Sequence, residues 1–276
     1  MKFFRFIALM VVGLSLAGSA LAQPLNERPR NSPYEEKLEK ERKIIPYDHL
    51  REIDVFWEKR IWRVIDCREK MNLPFVYPKR PLISILMDAI EKEGLPAYSA
   101  NDDEFTKQVT ASEITSVLSS RDTMFTIDPL TGKDTMIISE SVFDPLTVRK
   151  FRVQEVWIID EETSTMYPRI MGIAPVRDVY DPNTGEFRGE SDMFWVYYPD
   201  ARQVLANANA FNPGNDAIQM SWEDIFEARL FSSYIVKESN VYDRLIESYA
   251  TGIDAVLESE RIKHELFKKE HELWSF

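Results

Sequence analysis

Cysteine and histidine are scarce in this sequence, and their scarcity excludes several kinds of site. Cys67 is the single cysteine among 276 residues, so no internal disulfide can form. We favour a buried thiol there over a reactive or intermolecularly paired one. The histidines are His49, His264 and His271, so a core nucleophile would have no imidazole base nearby. The last two lie seven residues apart, too far on a helix to share one small metal ion.

Glycine-rich ligand loops and basic character are missing too. The chain has 9 Gly and shows no nucleophile elbow, phosphate loop or dinucleotide fingerprint. Its formal net charge of −12 argues against binding nucleic acid or docking on anionic lipid by charge. With 44% hydrophobic and 12% aromatic residues, the chain can nevertheless bury a sizeable core.

Long apolar runs are confined to the first residues. Lys2 and Arg5 precede an apolar stretch over 6–16, and Ala20-Leu21-Ala22 offers a cleavage site. This layout predicts a secretory signal peptide over residues 1–22, without the cysteine that a lipid anchor needs. Residues 23–50 contain four prolines and a charged run, which predicts a flexible N-terminal arm, either reaching a partner or simply solvated. We expect residues 51–276 to form a single α+β domain with a long C-terminal helix.

Two helices are predicted early in this domain. From Ile53 to Ile65, apolar residues recur at helical spacing, which predicts a helix over Glu52–Met71. Val55 and Trp62 lie off that stripe, so this helix would be sandwiched inside the domain or would offer a face to another subunit. A second helix is expected from Pro81 to a stop at Gly94.

Three Asp-Pro stretches punctuate the middle of the chain. They are Asp128-Pro-Leu-Thr-Gly132, Asp144-Pro-Leu-Thr147 and Asp181-Pro-Asn-Thr-Gly185. The first, followed by Lys133, could hold a metal or phosphate, and the third resembles the start of a calcium loop, but each combines turn-forming residues between strand-like runs. Because a ligand loop does not usually recur at strand ends, hairpin turns are the preferred interpretation. The similar runs 121–127 and 133–139 would form one hairpin.

The strand-like runs predict the fold class. They cover 148–159, 166–176 and 193–198, and the last of these is followed by a predicted helix over 201–210. The sequence therefore predicts an α+β fold in which an antiparallel sheet is packed by N-terminal and C-terminal helices.

Capping patterns predict two helices near the C-terminus. Ser221 with Asp224 would begin one, and Asn240 with Asp243 would begin the last helix. Along that last helix an apolar stripe continues among charged residues, and it could dock another chain or fold back on its own domain. We predict a partner interface at Val55, Trp62, Leu266, Phe267 and Trp274.

Paired carboxylates leave one catalytic alternative. Asp160–Glu162, Asp178 and Asp181 could serve an exported cell-wall polysaccharide hydrolase, or a binding module that stacks sugars on Trp and Tyr. Neighbouring residues of a strand or turn point apart, however, which does not favour a converging pair. We therefore predict no catalytic, cofactor-binding or metal site.

Several segments resemble the GldN/PorN family, periplasmic proteins of the type IX secretion and gliding motility machinery of Bacteroidetes. They are IWRVIDCREKMNLPFVYP (61–78), PLISILMDAI (81–90), IMGIAPV (170–176), FWVYYPDARQVLAN (194–207) and the stretch 221–276. Together they span nearly the whole chain after the signal peptide, whereas residues 100–150 carry no family pattern.

The resemblance implies a structural role without catalytic residues. Such proteins assemble with an outer-membrane lipoprotein into a large periplasmic ring, associated with the outer membrane through that partner. The resemblance further implies self-association within the ring and contact with the periplasmic part of an inner-membrane motor protein, with peptidoglycan as a further candidate contact.

Overall fold

An antiparallel sheet organises the fold. The computed structural model describes residues 42–118, 120–127, 134–141, 143–181, 184–215, 217–218 and 220–274, with the backbone alone at 117–142. The predicted signal peptide, the arm as far as residue 41 and the 128–132 turn lie outside the described residues.

The described strands are β1 Val55–Asp66, β2 Ala97–Tyr98, β3 Gln108–Val109, β4 Ser120–Ile127, β5 Asp134–Ser141, β6 Lys150–Asp160, β7 Thr165–Tyr180, β8 Phe187–Asp192, β9 Trp195–Tyr197, β10 Asn209–Ala210, β11 Met220–Ser221 and β12 Tyr234–Glu238. The main sheet has the order β12-β1-β6-β7-β9-β2-β3, and β8 also pairs with β7. Strands β4 and β5 form a separate hairpin, as do β10 and β11. The described helices are α1 Leu82–Asp88, α2 Ala111–Leu118, α3 Tyr198–Ala206, α4 Trp222–Glu227 and α5 Ile253–Glu272. The predicted α+β class is confirmed.

The helix predicted over Glu52–Met71 is wrong, because this segment is the central strand β1. It pairs with β12 on one side and with β6 on the other. Ile61 to Asp66 are all buried, since both faces of the sheet are covered at this point. A strand buried on both faces is continuously apolar and can imitate a helical stripe. Its β-branched and aromatic residues favour a strand.

The helix expected from Pro81 to Gly94 is confirmed. Helix α1 continues into a π-helical turn over Ala89–Glu93. Gly94 ends it at φ +74°, a left-handed conformation that glycine adopts at little cost.

The Asp-Pro stretches serve different connections. Strands β4 and β5 pair residue for residue from Ser120 with Ser141 to Ile127 with Asp134. Strands β7 and β8 also pair, and the Asp181 amide donates to the Glu186 carbonyl at 2.8 Å. Asp144 instead accepts a hydrogen bond from the Leu146 amide in a short 3-10 turn. That turn joins β5 to β6, which belong to different sheets, so the expected hairpin is wrong there.

The largest core lies on one face of the sheet, under α1, α3 and α4. Phe75 contacts Trp222 edge-on at a centroid distance of 4.9 Å, and Phe226 packs beside them. Each such ring buries enough apolar surface to contribute roughly 2–3 kcal/mol. Cys67 belongs to this core, and burial raises its pKa to about 12, so the thiol is unreactive at neutral pH.

Helix α4 begins where its cap predicts. The Ser221 hydroxyl accepts a hydrogen bond from the Asp224 amide, and the Asp224 carboxylate accepts one from the Ser221 amide. The helix expected over 201–210 begins three residues earlier and ends at Ala206.

The final helix begins later than expected. Asn240 caps a turn rather than a helix, because its side chain accepts from the amides of Tyr242 and Arg244. Asp243 then takes φ +48°, which a continuing helix cannot accommodate. Helix α5 starts only at Ile253, after Gly252 with φ +61°.

Candidate partner interface

Residues 241–257 concentrate apolar side chains on the surface of the molecule. Their relative exposure runs from 38% at Leu245 to 97% at Val241. We call this set the 241–257 surface; its members are Val241, Tyr242, Leu245, Tyr249, Ile253, Val256 and Leu257. Single exposed apolar residues are ordinary, but seven in one segment make it a candidate for protein contact.

The backbone between β12 and α5 produces this exposure. The turn at Asn240, a 3-10 turn over Ile246–Ser248 and the bend at Gly252 keep the segment from forming one amphipathic helix. A helix would have gathered its apolar residues on one inward face. Here only Ile246 is fully buried, against Ile61 and Ile235.

Polar contacts hold the exposed rings in place. The Arg244 guanidinium lies 4.9 Å from the ring centroid of Tyr242 and 4.7 Å from that of Tyr249. The Tyr249 hydroxyl donates to Glu258 of α5 at 3.2 Å. Tyrosine and arginine are the residue types enriched at the energetic centres of protein interfaces. The arrangement suits a preorganised contact surface.

An apolar crevice of about 550 Å³ adjoins this surface. It lies between β12 and α5, with Ile235, Val236, Ala250, Ala255 and Val256 in its lining. The Ser259 hydroxyl of α5 accepts a hydrogen bond from the Ile235 amide at 3.0 Å. This bond satisfies an amide of the edge strand β12, so an added strand from another chain is disfavoured at that point. Side chains, rather than a new strand, are the groups that the crevice can receive.

The residues predicted as a partner interface divide into two groups. Trp62 is 6% exposed and lies under Lys237, whose Nζ is 4.2 Å from the ring centroid. Leu266 is equally buried, against Ile61 and Ile262. Val55 is half-buried at the start of β1. The helix that motivated Val55 and Trp62 does not exist, and the structure does not bring these two near a common exposed face.

Phe267 and Trp274 are the exposed members of that prediction, at 65% and 76%. Helix α5 buries Ser259, Ile262 and Leu266, which recur at helical spacing. Phe267 lies on α5 beside that buried stripe, whereas Trp274 follows the end of the helix at Glu272. The sequence predicted an apolar stripe along the last helix. It did not predict that Val241 is exposed, because Val241 does not belong to any periodic pattern.

The carboxylates considered for catalysis have structural partners. Asp160 accepts hydrogen bonds from the Glu162 amide and the Thr163 hydroxyl, both at 2.9 Å, and so closes the β6–β7 turn. Asp181 pairs with Arg188 at 2.8 Å across the β7–β8 hairpin. Asp178 lies on β7 opposite Glu190 of β8. Within the described parts of the chain, no group of three or more His, Cys, Asp or Glu could hold a metal ion.

A family model for the gliding motility associated protein GldN matches residues 50–275. The match covers most of the chain, including all strands of the main sheet and helix α5. The chain belongs to the GldN family. A comparison with curated proteins gives no match. The resemblance seen in the sequence segments is thereby confirmed, and this GldN-family protein is a gliding motility associated component.

The 241–257 surface lies within residues 50–275, which the family model matches. So do Phe267 and Trp274. No helix in the described part of the chain combines the length and apolar character that crossing a bilayer requires.

Proposed function

We propose that this GldN-family chain is a non-catalytic structural subunit of a periplasmic ring in the type IX secretion and gliding motility machinery. Its partners in this proposal are an outer-membrane lipoprotein, which associates it with the outer membrane, and further copies of itself. The periplasmic part of the inner-membrane motor protein and peptidoglycan are further contacts. The observation that carries the proposal is the 241–257 surface, because a chain acting alone gains nothing from exposing so many apolar groups.

Phe267 on α5 and Trp274, which follows the end of that helix, extend the proposed contact. About 15 Å of helix separates Leu257 from Phe267, a span within the width of an ordinary interface. Trp62 and Leu266 are buried in the free chain, so their truncation is expected to reduce stability before it affects any partner.

The test is capture of the lipoprotein partner from a native envelope by the tagged chain, followed by light scattering of the purified pair. The double variant Tyr242→Ala/Tyr249→Ala is expected to weaken association by about 2 kcal/mol or more, as at an interface centre. Its matched control is Tyr180→Ala/Phe187→Ala, which removes an exposed aromatic pair of the β7–β8 hairpin. Equal capture by both variants would contradict the role of the 241–257 surface, and a monomer without any partner would contradict the ring.

A further inference from the structure

A groove of about 680 Å³ runs between α5 and residues 229–233. Arg63, Trp157 and Arg229 form one wall, and Lys263, Phe267 and Glu270 of α5 belong to the other. This volume is in the range of sites that hold one or two side chains or a small ligand. The groove does not include the 241–257 surface, so it is a separate feature of the molecule.

Two arginines of the groove meet at one buried carboxylate. Glu155 is fully buried, and it accepts from Arg63 Nε at 3.1 Å and from Arg229 Nη2 at 2.8 Å. The Trp157 indole also donates to Glu155, at 3.1 Å. Two guanidinium groups therefore share one carboxylate among the described residues at this place. Arg63 is nearly buried, Arg229 is 31% exposed, and Glu260 of α5 adds only an electrostatic interaction with Arg63, so a second carboxylate in hydrogen-bond contact would complete the pairing.

Arg63 provides donors for that carboxylate. Its side chain is about nine-tenths buried, and burial lowers its pKa, against the opposing effect of Glu155. Among the described residues, Arg63 donates a hydrogen bond to Glu155, and it does so through Nε. Its two Nη atoms therefore remain to bind a ligand. Both guanidinium groups lie about 6 Å from the Trp157 ring centroid, which holds them in place.

The groove lining also carries Glu260, Lys263 and Glu270, of which Glu270 is half-buried. Lys263 and Glu260 pair with each other at 3.4 Å, and both are well exposed. Phe231 and Phe267 add apolar surface beside the two arginines. The lining thus combines fixed cationic donors with aromatic walls.

We propose that this groove binds an acidic side chain of a partner protein, with a neighbouring apolar side chain seated against Phe267. The proposal goes beyond the ring assignment and does not require the 241–257 surface to be an interface. It assigns Arg63 and Arg229 as the groups that bind the carboxylate, and Trp157 as the group that positions them.

The test follows the indole N–H signal of Trp157 by NMR in the full chain, assigned with Trp157→Phe. The probe is N-acetyl-Asp-Phe-amide, and its matched control is N-acetyl-Asn-Phe-amide. We expect a saturable shift with the Asp peptide and at least a tenfold weaker effect with the Asn peptide, since a charge-assisted bond is lost. N-acetyl-Asn-Phe with a free α-carboxylate tests whether the groove binds the carboxylate of a chain terminus instead of an acidic side chain.

Two variants locate the binding. Arg229→Gln leaves Arg63 and Glu155 as a one-to-one pair, so the fold is expected to persist while affinity falls about tenfold or more. Glu270→Gln removes a negative charge that repels the bound carboxylate of the peptide, so it is expected to tighten binding roughly twofold. Val241→Ser, outside the groove, is expected to change nothing, and unfolding curves verify that each variant is folded.

Several results would overturn the proposal. They are equal binding of the Asp and Asn peptides, undiminished affinity in folded Arg229→Gln, or no Trp157 shift at peptide concentrations on the order of ten millimolar. Binding of the free α-carboxylate peptide alone would reassign the groove to a chain terminus and reject the acidic side chain. None of these results bears on capture of the lipoprotein, so the two proposals fail separately.

Discussion

Two irregular segments of this molecule, residues 42–49 and residues 241–257, contact the sheet domain in different ways. Residues 42–49 contact the domain mainly through hydrogen bonds, whereas residues 241–257 expose apolar side chains. The first segment places Tyr47 between α3 and α4, where its hydroxyl donates to Glu227 at 2.5 Å. The second is held chiefly by Ile246 and by the ion pair of Lys237 with Asp243 at 2.6 Å.

The contacts of the first segment form a connected network. Arg202 of α3 donates to the Ile45 carbonyl at 2.9 Å and to Glu223 at 2.7 Å, and its guanidinium stacks 4.1 Å from the Tyr47 ring centroid. Burial, together with the hydrogen bond to Glu227, raises the pKa of Tyr47. Part of the arm predicted as flexible is therefore bound to the domain. This segment uses Arg42, Tyr47 and the Ile45 carbonyl in hydrogen bonds to the domain, whereas the 241–257 surface leaves apolar side chains exposed.

The largest expected effect comes from the aromatic core under the first segment. Trp222→Ala should lower the free energy of unfolding by about 4 kcal/mol, because it leaves a cavity beside Phe75 and Phe226. Tyr242→Ala, which removes an exposed ring of the 241–257 surface, should change it by about 0.5 kcal/mol or less. Urea titrations of both variants measure the contrast, and similar losses would show that Tyr242 is packed in the free chain.

Arg202→Ala is expected to cost about 3 kcal/mol of stability, because Glu223 and Glu227 lose their buried cation. The same change should release residues 42–49, which hydrogen exchange would detect as faster amide exchange. Tyr47→Phe is the matched milder variant, with an expected loss of about 1 kcal/mol. Unaltered exchange in folded Arg202→Ala would contradict the network.

A pH effect is expected where Lys237 fixes the second segment. Asp192 lines the same cavity as Lys237 and Asp243, and burial raises its pKa to about 6 despite its ion pair with Arg152. Its unfolded value is about 3.9. The folded chain therefore favours protonated Asp192. The resulting contribution to the free energy of unfolding is complete below about pH 4 and is lost as the pH rises through 6.

Asp192→Asn should remove this dependence. Between pH 4.5 and 7.5, the stability of the wild type relative to the variant should fall by about 2 kcal/mol. Urea titrations at several pH values measure it. A difference that stays constant, or that grows with pH, would contradict the raised pKa.

The smallest expected effect belongs to the 241–257 surface itself. Ile253→Ser/Leu257→Ser should alter the free energy of unfolding by only about 0.5 kcal/mol, because neither side chain is buried in the free chain. Thermal melts suffice as the measurement. A loss of several kcal/mol would show that the surface belongs to the core, and the comparison between the two segments would no longer hold.

Local signals predicted the elements that local physics decides. Pro81 and Gly94 bound a helix, Ser221 with Asp224 caps another, and the β-branched runs after residue 148 form strands. These outcomes depend on backbone preferences and on hydrogen bonds within a few residues. The 55–66 segment escaped prediction because its period is hidden once both faces of a strand are covered. The helix predicted to begin at Asn240 was wrong because a turn and a helix can use the same capping hydrogen bond.

The candidate sites depend on partners distant in sequence. Arg63 and Arg229 meet at Glu155 only because β1 pairs with β6 and the 229–233 turn lies against them. The exposure of Val241 or Leu257 cannot be derived from their types, which are those of core residues. No sequence pattern distinguishes an apolar residue that is packed from one that is left bare.

The amino-acid sequence alone determined the family, the α+β class and several elements after residue 80, such as the helix between Pro81 and Gly94 and the strands after residue 148, because each rests on local order along the chain. Tertiary structure decided that 55–66 is a central strand, that 241–257 is an exposed surface, and that two arginines share one buried carboxylate. The physical reason is that burial and charge balance are properties of neighbours in space, which the chain brings together only on folding.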